Sequence, residues 1–450
     1  MVRTWLSFFF AVAIYADDAR FCDIRQHGGV QGAVDACAAR GGGTVYVPPG
    51  RMVTGDIQLK DNVTLYLEAG AVLVPSQNRA DHKGPWRGFI WADGAKHIGL
   101  AGKGTIDGEA RYEWSPRRRP DEEIAEEYEI ARQASVDMRR SNHAGLGIYL
   151  VRFVRSSDIV VEDVSLLNSQ FWTLRLDECQ RVRVRGAYLA NDLEKAVNGD
   201  GIDIVSSREV QISDSIISTG DDAICLKTIP LEKGGRALPT ENVTVTNTIL
   251  SSSSTALMIG TETLADIRHV IFSNSVIRSS NKGIGINVQD GATVSDVMFL
   301  NLTMELDRRH WNWWGSAEMM KFVLKKRTAE SRLGVIRDVV VDNIRARARG
   351  TSLAAGQAGP IDSLTMRNID LEIWAENTPD KRATHALVVE NVRRLRIQGL
   401  RVRWAEDVTE PKWGSALVLR HIADCRMEGF EGTAGRKDGT APAVVQEDVH

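Results

Sequence analysis

One phrase returns along most of this chain: a polar residue followed by alternating Val, Ile and Leu. It reads Asn62-Val-Thr-Leu-Tyr-Leu, His97-Ile-Gly-Leu, Asp158-Ile-Val-Val and Arg181-Val-Arg-Val, and returns at Glu209, Asn242, His269, Asp296, Asp338, Ser363 and Arg394. The copies that start at 158, 181, 209, 242, 269 and 296 follow one another at 23 to 33 residues, a spacing found in solenoid repeats. Period-two alternation marks strands with one buried face. Turn pairs such as Asn-Ser, Ser-Ser and Asp-Gly separate them.

No helical segments alternate with these strands, which argues against a doubly wound sheet or an α/β barrel. Hairpin turns are too scarce for a propeller. The expected fold is all-β, a right-handed single-stranded parallel β-helix. A stack of coils leaves an open apolar end. Gln31 to Arg40, followed by Gly41-Gly-Gly, reads as a short N-terminal capping helix with a glycine stop.

At 450 residues the chain is long for one globular domain, but a solenoid grows along one axis as one unit. The β-helix domain is expected over 17–430, with a charged excursion at about 111–143, a Trp-rich insertion at about 306–333 and a flexible tail at 431–450. Residues 1–16 resemble a secretory signal peptide: one Arg, an apolar run, then Ala16 before two acids. A membrane anchor or a buried first strand are the other readings. The run is too short to span a bilayer, and no later segment reads as a membrane span. The expected location is secreted or periplasmic.

A net charge of -3 argues against non-specific nucleic-acid binding, which needs basic surface. Five cysteines show no metal-ligand spacing. Cys22 and Cys37 either pair in an oxidising compartment or remain buried thiols. Cys225 alternates with Ala223 and reads as core. His97, His269 and His421 stand at strand starts and read as surface hydrogen-bonders.

The chemistry concentrates in Asn198-Gly-Asp-Gly-Ile-Asp-Ile204 and Gly220-Asp-Asp-Ala-Ile-Cys-Leu-Lys227. Coils stack about 4.8 Å apart, so Asp200, Asp221 and Asp222 are expected to share one surface. Crowded carboxylates repel, and one is expected to keep its proton while others ionise. Hydrolysis of a glycosidic bond needs that asymmetry. Strand neighbours point to opposite faces, so Asp221 and Asp222 reach one cleft only if Gly220 marks a bend or bulge. The alternative is that all three are turn carboxylates.

The order Gly41-Gly-Gly-Thr-Val-Tyr-Val-Pro-Pro-Gly50, Gly104-Thr-Ile-Asp-Gly108, Phe171-Trp-Thr-Leu174, Asn198-Gly-Asp-Gly and Gly220-Asp-Asp resembles glycoside hydrolase family 28. That is the polygalacturonase and rhamnogalacturonan-hydrolase family, built on a right-handed parallel β-helix. The resemblance implies that Asp221 is the general acid, that Asp200 and Asp222 activate a water, and that the anomeric configuration inverts. Inverting enzymes keep acid and base roughly 6.5–9.5 Å apart. The reaction calls for no metal and no cofactor.

The chain departs from the family at two places. Ser254-Thr255-Ala256 stands where polygalacturonases carry Gly-His-Gly. Gly285-Ile286-Asn287 replaces Arg-Ile-Lys, whose cations grip substrate carboxylates. An endo-polygalacturonase of the usual kind is therefore not expected.

Asn198, Thr255 and Asn287 remain as substrate contacts at the motif positions. Lys227 and Lys282 either meet a uronate carboxylate or are solvated coil-edge lysines. Glu262 is a ligand contact or a turn stabiliser. Trp172 stacks on a sugar or belongs to the core, and Trp313 and Trp314 are expected to contact sugar in the cleft.

The expected activity is exo-cleavage of α-linked galacturonosides in pectic oligosaccharides, with a rhamnogalacturonan linkage as runner-up. A Ca²⁺-dependent polysaccharide lyase and a non-catalytic carbohydrate-binding β-helix are the alternatives. The oligomeric state is not encoded in any feature of the sequence.

Overall fold

The computed structural model describes residues 20–115, 125–136, 140–308 and 315–450. Parallel strands dominate, in a right-handed β-helix. One sheet stacks thirteen strands, one per coil, from Ile57–Gln58 through Ile202–Val205, Ile224–Thr228 and Thr255–Thr263 to Val444–Val449. A 22-stranded sheet wraps the other side of the coils. Its strands lengthen along the solenoid until Ile267–Ser280, Thr293–Leu306 and Val335–Ala348 are single runs of 14 residues.

The repeated polar residue has a backbone reason. Asn62, His97, Asp158, Arg181, Glu209, Asn242, His269, Asp296, Asp338 and Ser363 all lie at φ between 53° and 70°. Each begins its coil with one left-handed residue, a conformation that Asn and Asp tolerate best. Arg181 and Glu209 show that stacking of coils overrides that preference.

The following residues alternate into the core. Ile98, Ile159, Val182, Val210, Val243, Val270, Val297, Val339, Leu364 and Leu395 pair in register through ten coils. None is more than 2% exposed. Each such side chain contributes about 1.5–3 kcal/mol by leaving water. Of the three histidines, His269 Nδ1 lies 3.2 Å from Asn242 Oδ1 and His421 Nδ1 lies 3.0 Å from Asp448 Oδ2.

The helix Val30–Ala39 closes the N-terminal end and buries Val30, Ala33, Val34 and Cys37. Gly41, Gly42 and Gly43 follow it, all at positive φ. A disulfide joins Cys37 to Cys22 in the first strand. Cys179 and Cys225 are buried free thiols.

Two boundaries differ from expectation. Residues 431–450 are not a frayed tail: Val444–Val449 pairs in parallel with Leu417–Ile422 and adds the last rung. It was hard to read because it keeps polar residues on both faces.

The expected insertion at 306–333 contains a coil strand, Glu318–Leu324, which pairs with Lys282–Val288. That strand is buried on both faces and so lacks alternation. The excursion at 111–143 holds an antiparallel hairpin, Arg111–Ser115 with Arg140–Ala144, and the helix Ala125–Gln133. Residues 1–16 and Trp313 and Trp314 lie outside the described residues.

Candidate active site

The register of the thirteen-stranded sheet builds the site. Leu174, Ile202, Ile224, Leu257 and Ile284 pair in sequence across neighbouring coils. Two residues before each stand Trp172, Asp200, Asp222, Thr255 and Lys282. These five therefore form one row along the solenoid. Backbone bonds tie the row: Thr173 N donates to Asp200 O at 2.9 Å, and Gly201 N to Asp222 O at 2.9 Å.

Asp221 and Asp222 do not lie within a strand. They occupy the turn between Ile216–Thr219 and Ile224–Thr228, and so both side chains reach the same cavity. The bend expected at Gly220 is real, and its cause is close packing. A Cβ there would lie 2.6 Å from both Asp192 O and Ala196 O. Thr219 Oγ1 and Ser252 Oγ donate to Asp221 O at 2.8 and 2.7 Å, which holds the turn from two sides. On the coil below, Asn191 Nδ2 donates to Gly199 O at 3.0 Å and shapes the loop that presents Asn198 and Asp200.

Asp200, Asp221 and Asp222 are 3%, 3% and 8% exposed. One oxygen of each lies within 4.8 Å of the others. They come together because they sit on stacked coils and on adjacent residues of one turn. Burial, and then the charge of Asp222, push Asp221 up to about 7. Burial raises Asp200 as well, followed by the charges of Asp203 and Asp221.

Asp222 Oδ1 accepts from Ser254 Oγ at 2.8 Å and from Thr255 N at 2.9 Å. The segment that lacks the histidine therefore holds the second aspartate directly.

The cations are not solvated. Lys227 and Lys282 are each 7% exposed, and both line the cavity of about 320 Å³ together with the three acids. Lys227 Nζ lies 3.1 Å from Glu262 Oε2 and 5.0 Å from the centre of the Trp172 ring. Burial works against the Lys227 ammonium, while Glu262, Asp200 and Asp203 around it favour its charge. Burial keeps the neighbouring Cys225 thiol neutral. The Lys227 charge in turn draws Glu262 down.

Glu262 reaches across because two extra residues separate Ile259 from Thr263 relative to their partners Leu226 and Thr228. Trp172, 9% exposed, walls the cavity and also carries Arg175, whose Cζ is 4.7 Å from the ring centre. Asn198, Thr255 and Asn287 also line the cavity.

Sequence reasoning missed several residues. Asp203 is fully buried, and neither oxygen has a hydrogen-bond partner among the described residues. Burial raises its pKa, and Lys227 and Arg175 oppose the rise. Its place in Gly-Ile-Asp-Ile204, one step from the motif acid, was the available signal. Ser254, Met258, Thr261, Lys321, Val323, Lys325 and Gln357 complete the lining.

Residues 37–390 match the model of glycosyl hydrolases family 28. The chain belongs to glycosyl hydrolase family 28. Its enzyme class is therefore that of an O-glycosyl hydrolase. A probable polygalacturonase of Vitis vinifera is 24% identical over 368 residues, 75% of this chain and 68% of the relative. An exo-poly-alpha-D-galacturonosidase of Dickeya chrysanthemi is 24% identical over 57% of this chain and 48% of its own length. Among solved structures, the hyperthermoactive exopolygalacturonase from Thermotoga maritima superposes with a TM-score of 0.63 at 19% identity. The superposition covers 85% of this chain and 92% of that one. Family 28 membership and the fold thus agree.

Proposed function

We propose that this family 28 protein hydrolyses α-linked galacturonosides in pectic oligosaccharides with inversion. The observation that carries the reading is the buried cluster of Asp200, Asp221 and Asp222, in which Asp221 is raised to about 7. A general acid works best with a pKa near the operating pH. In the proposed step Asp221 gives its proton to the departing glycosidic oxygen as the bond to the anomeric carbon breaks. A water attacks that carbon from the opposite face and passes its proton to Asp222.

The family scheme shares the base role between Asp200 and Asp222. Here burial and Asp203 favour a proton on Asp200, so the base work falls first to Asp222.

Family membership supports inversion, and NMR of the first-formed anomer distinguishes it from retention.

Exo-action is supported by the excursion at the Trp172 end of the row. Tyr112 Oη donates to Ser169 O at 2.6 Å, and Gln170 Oε1 accepts from Gly147 N at 3.0 Å. These bonds tie the hairpin and the segment after it to the turn that precedes Trp172, and an obstruction at that end of the row favours exo-action. The exo-acting relative from Dickeya chrysanthemi supports the same reading. Secretion or periplasmic export is supported by the Cys22–Cys37 disulfide, since such bonds persist in oxidising compartments.

The test is reducing-end release from galacturonan, rhamnogalacturonan and branched pectic oligosaccharides, with Asp221→Asn alongside. Monomer release from galacturonan that vanishes in the variant is expected. Cleavage confined to rhamnogalacturonan would move the substrate to the runner-up.

A further inference from the structure

The cation positions of the family pattern fall here on Gly285 and Asn287, yet the space at 285 is filled. A Cβ on Gly285 would lie 2.6 Å from Met258 Sδ, 3.2 Å from Thr255 Cγ2 and 3.5 Å from Lys282 Cδ. Met258 and Thr255 are what crowd position 285, and the Lys282 stem, from three residues earlier on the same coil, passes it at ordinary contact distance. One coil further on, Gly285 pairs in register with Lys321. Lys282 is buried, Lys321 is half-buried, and both line the cavity that holds the three carboxylates. Lys282 on the same coil and Lys321 on the next therefore bring two cations to the cavity where the pattern had seemed to lose them.

We infer that Lys282 and Lys321 form the carboxylate subsite of this enzyme and determine its preference for an acidic sugar. The inference rests on the galacturonoside reading above. Two ammonium groups act as point charges with rotatable donors, whereas an arginine presents a planar fork. They hold a carboxylate without fixing its plane. Lys321 is the principal contact, because Glu318 follows Lys282 at the next rung of its row, is 2% exposed and supplies a competing carboxylate.

The experiment measures binding and turnover of digalacturonate and of its fully methyl-esterified form by the full chain. Lys321→Met is expected to raise Kd and KM for the free acid by about 10- to 100-fold, the size of a lost charge-assisted contact. Its kcat should change by less than about threefold, as expected when an interaction common to ground and transition state is removed. Lys282→Met should act in the same direction but more weakly, and Lys321→Arg should restore most of the affinity. The methyl ester should bind wild type and both variants alike.

Equal losses on acid and ester would make the lysines structural and overturn the inference, as would no loss on the acid. If wild type neither binds nor cleaves either galacturonide, the galacturonoside reading itself fails. Oligoglucuronate and oligomannuronate then test the subsite by binding alone, and failure of both to bind overturns it.

Discussion

Lys227 Nζ lies 3.1 Å from Glu262 Oε2, a bond that crosses from one coil to the bulged end of the next coil's strand. Lys227 has only 9% of its side chain exposed while Glu262 keeps 38%. The two ends of the pair are therefore unequal. Lys227 also offsets Asp200 and Asp203, so removing it leaves several buried acids without compensation. Breaking a buried pair from one side is typically worth about 3–5 kcal/mol. Lys227→Met is expected to lower the melting temperature by several degrees, whereas Glu262→Gln, at the exposed end, shifts it far less. Thermal denaturation at neutral pH checks the difference.

The tuning of Asp221 makes stability depend on pH. Its pKa is about 7 in the folded protein and close to the usual carboxyl value of about 3.9 when unfolded. Between those values the folded state binds the extra proton, so stability falls as pH rises from about 4 through about 7. Asp221→Asn is expected to stabilise the fold by a few kcal/mol at pH 8 and to make no difference at pH 3. Melting curves of both proteins across that range would reveal a parallel response if the tuning were absent. Activity should fall at high pH with an apparent pKa near 7, and the variant should lose about 10²–10⁴-fold in kcat.

Ser254 stands where the family pattern has glycine, beside the absent histidine, and donates to Asp222 Oδ1 at 2.8 Å. A hydrogen bond to a charged group contributes about 1.5–3 kcal/mol. Ser254→Ala is expected to lower kcat by about tenfold or more through a misplaced Asp222. Thr255→Val should be milder, because its bond to Asp222 comes from the backbone amide. Steady-state kinetics of the two variants, compared with their melting temperatures, separates lost positioning from lost folding.

The three acids are close enough to chelate a cation, which is what a lyase mechanism would require of them. A hydrolase should keep its activity after exhaustive treatment with EDTA and form no ultraviolet-absorbing unsaturated sugar. Loss of activity on chelation, restored by Ca²⁺, would move the reaction to the lyase class.

The repeat was legible because each coil begins with a polar left-handed residue and continues with alternation that buries one face. Asp200, Asp221 and Asp222 were legible because Gly and Asn around them mark turns. Asp203 was not, since an alternating Ile-Asp-Ile reads as a strand with a solvated acid. In fact it is fully buried, between Arg175 and Cys225 on the adjoining coils. Lys321 was hidden because Glu318–Leu324 is buried on both sides and passed for part of an insertion. Lys282 and Lys227 look like surface lysines in one dimension, and only a neighbouring coil shows that they are buried.

The amino-acid order alone therefore determined the coil, its capping helix and the presence of three acids in turns. All of these depend on residues close together in the chain. The tertiary structure decided which residues of different coils meet: Trp172 with Lys227, Lys227 with Glu262, Asp222 with Ser254, and Gly285 with Lys321. Register between coils is set by backbone hydrogen bonds about 4.8 Å apart. Turns of unequal length absorb the differences in repeat size, so counting residues along the chain does not reveal which side chains share a row.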